Sequence, residues 1–327
     1  MSSELFLVII LAVIFDFLNG IHDSSNIVAT MIASRAFRPQ IALALTATAE
    51  FLGPFLFGVT VATTIGEEVA QPKALNLDVI VACLFGAIAW NILTWFFGIP
   101  SSSSHALIGG MVGAVITGAG FGAIKLHGLE KVLIALFTSP LIGFAAGFVI
   151  TRLIYFLARN ATPDVNWLFK NGQFVTAIGM AFSHGTNDAQ KTMGIITLSL
   201  VIGGYITDFR VPFWVIGLSA SAIALGTALG GWRLIRTLGG KFYKIRPVHS
   251  FATQLTSGIV ILTASAFGLP VSTSQVVSSA IIGVGSSERF GKVRWSVAQE
   301  IVTAWFITIP ASALFSAGIY WLITVVK

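Results

Sequence analysis

Residues Ser183–Lys191 read SHGTNDAQK, and residues Asn19–Asn26 read NGIHDSSN. Aligned, Gly20 answers Gly185, His22 answers Asn187 and Asp23 answers Asp188. Both stretches interrupt long apolar runs. An ionisable side chain in such a run is costly, rare and by default functional. Two carboxylates in matching contexts point to a site built from both halves of the chain.

The surrounding composition is that of a membrane protein. The chain has 327 residues, 55% of them hydrophobic and 10% charged. A soluble domain carries about a quarter charged residues. Ten apolar elements recur, at about 4–34, 41–63, 77–97, 101–118, 129–158, 173–203, 211–231, 248–268, 271–285 and 296–325. A span needs about 20 apolar residues, so the chain reads as an all-α polytopic membrane protein. The 33 glycines fit close helix packing in lipid. Cys83 is the only cysteine, which excludes an intrachain disulfide framework. The start, MSSELFLVII, lacks a basic n-region and a small-residue cleavage site, so it reads as the first membrane segment.

The net charge of +6 is explained by sidedness. With the N-terminus outside and every element crossing, thirteen of the Lys and Arg residues fall inside, among them Arg35, Arg38, Arg152, Arg159, Lys244, Arg246 and Arg294. Lys73, Lys125, Lys131, Arg210 and Lys327 fall outside, and Lys191 alone stays within the membrane. That obeys the positive-inside rule. Nucleic acid is not the expected partner, and the basic loop 233–246 reads as cytoplasmic.

A second pair of motifs extends the duplication. Residues 98–104 read GIPSSSS and residues 268–274 read GLPVSTS. Proline ends the preceding helix, and serine starts the next at once. The result is a helix N-terminus dense with hydroxyls, suited to an oxyanion. The same oxygens can also ligate a hard cation. The offset between copies is 165 at Gly20/Gly185 and 170 at Gly98/Gly268, Glu130/Glu300 and Pro140/Pro310. A near-constant offset argues for duplication of a whole unit. Each unit holds five elements, so the second is inverted; two inverted-topology repeats with broken helices and serine-rich helical hairpins are the signature of a secondary transporter. The expected division is residues 1–158 as the first repeat, 159–172 as a short cytoplasmic linker and 173–327 as the inverted second repeat.

The candidates follow from this plan. Ser103, Ser104, Thr273, Ser274, Gln190 and Lys191 are expected to bind the anion. Asp23 and Asp188, with Asn26, Asn187, Ser102 and Ser272, are expected to hold a cation, Na⁺ first, because bare carboxylates would repel the anion. Lys191 either touches substrate or neutralises Asp188, three residues away. Glu50 and Asp16 are buried acids with a coupling role or a structural one. His22, His105 and His184 either carry protons or pack. The helix over 4–34 is expected to break at Gly20, so that its polar residues face a protein-lined cavity.

Together NGIHDSSN, SHGTNDAQK and the two serine motifs resemble the inorganic phosphate transporter family, whose duplicated signature has the form G-x-N-D-x-x-N. The resemblance covers both halves and is to the bacterial and archaeal branch. It implies a cation-coupled phosphate symporter of the cell membrane with an inverted-repeat fold, assembled as a homodimer. It makes Asp23 and Asp188 the signature aspartates and draws in Glu50 and His184. The chain departs from the family pattern at His22, Gln254, Ser274, Gln275 and Lys191. Those departures leave the coupling ion, Na⁺ or H⁺, and the anion, phosphate or sulfate, as alternatives. An intramembrane enzyme using Ser and His is the remote one, since it gives no reason for two copies.

Overall fold

The computed structural model describes residues 2–71, 74–99, 101–230 and 243–327. The chain runs through α1 (Ser3–Ala33), α2 (Pro39–Leu56), the short α3 (Thr60–Thr63), α4 (Leu77–Phe97), α5 (Ser103–Ala119) and α6 (Leu126–Leu157). It continues through α7 (Val165–Ile202), α8 (Phe213–Leu229), α9 (Pro247–Ala266), α10 (Thr273–Glu288) and α11 (Trp295–Val326). Lys73, Pro100, Arg233, Arg236 and Lys241 lie outside the described residues. By length and composition α1, α4, α6 and α11 can each cross a membrane, and α2 with α3, bent by 75°, makes a fifth candidate.

Apart from the short α3, the helices α1–α6 recur in order as α7–α11 among the described residues, and the two sets interlock. α1 packs on α8 and α2 on α7; α5 packs on α11 and α6 on α10. Pairings inside one half recur in the other, α1 with α4 and α7 with α9, α4 with α5 and α9 with α10. Proline stands inside α6 at Pro140 and inside α11 at Pro310.

Three features differ from the sequence expectation. First, α1 does not break at Gly20; it is helical throughout, as is α7 through Gly185. An added Cβ at Gly20 would collide with the Ile223 carbonyl on α8, and one at Gly185 with the Glu50 carbonyl on α2. These glycines let helices touch, and an unbroken helix keeps its own backbone satisfied. Second, α7 starts at Val165, inside the segment expected as linker, and the connection shrinks to Ala158–Asp164. Phe169 on this extension stacks edge-on against Phe251 of α9, with centroids 5.5 Å apart. Third, α5 and α10 begin where their serines meet the middle portion of α7. They are the return arms of the hairpins α4–α5 and α9–α10, and α5, at 17 residues, is shorter than the helices able to cross. A hairpin returns the chain to the side it left whether it crosses twice or turns back, so the argument for inversion is unchanged.

The ends of the bundle sort by charge. At one end Lys327 pairs with Glu4 and Asp78 at 2.8–2.9 Å. Those carboxylates, Asp78 first, hold its ammonium above the ordinary lysine value. Lys131 meets Glu68 at 2.8 Å. At the other end Arg35, Lys244, Arg246 and Arg294 line one cavity, and Glu288 joins Arg246 and Lys292.

Candidate functional site

The site begins with two left-handed glycines. Gly98 follows α4 at φ 68° and Gly268 follows α9 at φ 66°, a conformation that glycine adopts without penalty. The chain then turns into α5 and α10, capped by Ser102 and Ser272, whose Oγ atoms accept from the His105 and Gln275 amides at 3.2 and 3.4 Å. The two tips face each other. Ser104 Oγ donates to the Val271 carbonyl at 3.0 Å, and Ser274 Oγ donates to the Ser101 carbonyl at 3.4 Å. Behind them Gln275 Nε2 lies 3.3 Å from His105 Nδ1.

α1 and α7 bring their aspartates to these tips. Asp23 and Asp188 are both at most 1% exposed. Thr273 Oγ1 donates to Asp188 Oδ2 at 2.8 Å and lies 3.3 Å from Asp23 Oδ2. It thus bridges the two carboxylates. His184 Nε2 sits 3.1 Å from Asp188 Oδ2 and 3.5 Å from Asp23 Oδ2, and its Nδ1 lies 2.8 Å from Glu50 Oε1. One imidazole therefore lies within 3.5 Å of three carboxylates. Asp23, His184 and Asp188 each offer a ligand atom within 4.8 Å of the others, close enough to share a cation.

The remaining candidates divide by the direction of their side chains. Asn26 Nδ2 donates to Asp23 Oδ1 at 3.0 Å. Lys191 pairs with Asp188 Oδ1 and donates to Ser104 Oγ at 2.6 Å and to the Val271 carbonyl at 3.0 Å. All three ammonium protons thus have acceptors. Asn187 turns away from the carboxylates and donates to Ser265 Oγ and the Leu269 carbonyl, tying α7 to α9 and its hairpin. Gln190 turns the other way, where its Oε1 accepts from the Val61 and Ala62 amides at 2.8 and 3.3 Å. It caps α3 after the break that follows α2, and its Nε2 has no partner among the described residues. Asp16 is fully buried on α1, in reach of Thr192 on α7. Ser102 and Ser272 serve as caps, and Ser103 is 6% exposed at the same tip.

Some contributors were not expected from sequence. Asn19 Nδ2 reaches Asp188 Oδ2 at 3.5 Å, and its place in the NGIHDSSN stretch was the available signal. The Val271 and Ser101 carbonyls are backbone groups, which residue type does not mark. Thr273, expected on the anion, lies on the carboxylates.

The chain is similar to known proteins. Residues 19–168 and 158–316 match the profile of the phosphate transporter family. A protein of Rhizobium meliloti named "Probable low-affinity inorganic phosphate transporter" is 46% identical over 96% of this chain and 94% of its own length. A Bacillus subtilis protein of the same name is 42% identical over 98% of this chain and 97% of its own. A solved structure described as the sodium-dependent phosphate transporter aligns over all of both chains with a TM-score of 0.89 at 24% identity. That likeness concerns the fold.

Proposed function

Because the chain belongs to the phosphate transporter family, we propose that it carries inorganic phosphate across the membrane by alternating access, coupled to a cation. It is a membrane transporter in class and not an enzyme, as its relatives are named. The observation that carries the mechanism is the closed polar cluster at the meeting of the two hairpin tips with α1 and α7. Asp23, His184 and Asp188 lie close enough to share one ion, and the tips supply hydroxyls and helix N-termini beside it.

In this reading a cation held at Asp23, beside the Asp188 that Lys191 already neutralises, cancels the remaining carboxylate charge and lets the anion approach. Ser104, Thr273 and Ser274 then turn their hydroxyls from carbonyl and carboxylate acceptors to the phosphate oxygens, and Ser103 joins them from the same tip. Each ligand stabilises the other's site, and this mutual effect is the coupling. Na⁺ is the ion we favour, from the oxygen-rich ligand set. A proton is the second reading, and one contact favours it: the His184 imidazole spans Glu50 and both aspartates, an arrangement able to hold and pass a proton. The two repeats are inverted, the termini lie outside, and the functional unit is a homodimer of the cell membrane.

The test is uptake of radiolabelled phosphate and of sulfate into proteoliposomes, with a Na⁺ or an H⁺ gradient imposed in turn. Phosphate accumulation driven by one gradient is expected. Preference for sulfate, or uptake indifferent to both gradients, refutes the reading. Mass measurement of the detergent-solubilised protein tests the dimer.

A further inference from the structure

The duplication that pairs Asp23 with Asp188 also pairs Asn26 with Lys191, each three residues beyond its aspartate. The two side chains behave alike, since each donates to the Oδ1 of its own aspartate. They differ in what else they bring. Lys191 carries a positive charge, three donors and no acceptor. Asn26 leaves its Oδ1 buried and without a partner among the described residues. The hairpin tips show the same correspondence. Ser104 matches Ser274 and Ser101 matches Val271, and the two serine-to-carbonyl hydrogen bonds are copies of one another.

The neighbours of Lys191 Nζ are a carboxylate oxygen, a hydroxyl oxygen and a backbone carbonyl oxygen. This is the ligand chemistry of a hard cation. The side chain is 1% exposed, so the ammonium does not reach this place from solvent in the closed state; its own tether delivers it. At the corresponding position of the first half stands a neutral amide with a free oxygen, which can join such a ligand set.

We propose that Lys191 is a tethered cation: its ammonium occupies one of two duplicated cation loci, leaving the locus of Asp23 and Asn26 to a dissolved ion. The inference rests on the reading of the aspartates as cation sites. It makes Lys191 a determinant of ion stoichiometry. One dissolved cation fewer travels with each phosphate than the duplication would accommodate. It also means that the contact between the tips through Ser104 and Val271 is held by a charge that cannot diffuse away.

The test replaces the ammonium and counts ions. Full-length protein, Lys191→Asn and Lys191→Gln are purified, and equilibrium binding of ²²Na⁺ and thermal unfolding in NaCl against choline chloride are measured. The variants are expected to bind one Na⁺ more per protein than the wild type and to show a larger stabilisation by NaCl. Adding Asp188→Asn to Lys191→Asn is expected to remove the gain. An unchanged Na⁺ count overturns the proposal. So does equal destabilisation of both variants in the two salts, or failure of both to fold in either, because an emptied oxygen site should accept the ion. Wild-type protein that moves no phosphate under any gradient defeats the proposed function instead; active wild type whose variants gain no Na⁺ defeats this inference alone.

Discussion

Asp23 and Asp188 occupy equivalent places, yet their surroundings predict different costs of mutation. Asp188 neutralises a buried lysine, whereas Asp23 meets Asn26, Thr273 and His184. Removing one partner of a buried ion pair costs about 3–5 kcal/mol, since a charge is left uncompensated. Asp188→Asn is therefore expected to lose both uptake and thermal stability. Asp23→Asn should abolish cation-dependent uptake with a smaller loss of stability. Uptake in proteoliposomes and melting in detergent check both, and normal uptake by the two variants ends the cation role. The aspartates were legible in sequence because a charge in an apolar run stands out and a duplicate confirms it. The directions of their neighbours were not. Asn187, Asp188, Gln190 and Lys191 sit within five residues, and helical geometry sends them to α9, the carboxylate cluster, α3 and the tips respectively. Their types describe what they can bind; only the packing of α3, α9 and the hairpins around α7 decides what they reach.

At the scale of elements, the serines of the two tips have separable tasks. Ser102 and Ser272 cap α5 and α10, and loss of such a cap costs about 1 kcal/mol. Ser102→Ala and Ser272→Ala should each lower thermal stability by that order. Ser104 and Ser274 hold the tips to each other and face the proposed anion position. Ser104→Ala and Ser274→Ala should weaken phosphate binding, measured as displacement of labelled phosphate; unchanged affinity in both removes the oxyanion cage. The motifs were legible because proline and serine have fixed positional meaning at a helix start. Gly20 was not, because glycine serves a break and a close contact equally well. The partner decides: α8 lies against Gly20 as α2 lies against Gly185. Gly20→Val and Gly185→Val should therefore separate these helix pairs and lower the yield of folded protein, seen as early elution in size exclusion. Normal elution of both would remove the close-contact role given to these glycines.

For the whole molecule, the run boundaries and the repeat offsets were legible because hydropathy and duplication are properties of the chain itself. The serine-rich hairpins were legible from the Gly-x-Pro-x-Ser motifs, but their depth was not, since an apolar segment of 17 residues looks the same whether it crosses or turns back. Sidedness survives this change, because a hairpin that crosses twice and one that never crosses leave the next loop on the same side. The structure adds an independent constraint: Arg35, Lys244, Arg246 and Arg294 share one cavity, and Glu4, Asp78 and Lys327 meet elsewhere. Basic residues gathered at one end should face the cytoplasm. The buried Cys83 leaves a silent background for thiol labelling. Ser2→Cys and Arg210→Cys should react with a membrane-impermeant maleimide on intact cells, whereas Lys244→Cys and Arg289→Cys should react only after permeabilisation; all four positions are exposed in the structure. The opposite pattern reverses the orientation while keeping the fold. Labelling of all four from one side contradicts an odd number of crossings per half, and with it the inversion that brings Asp23 and Asp188 to a common site.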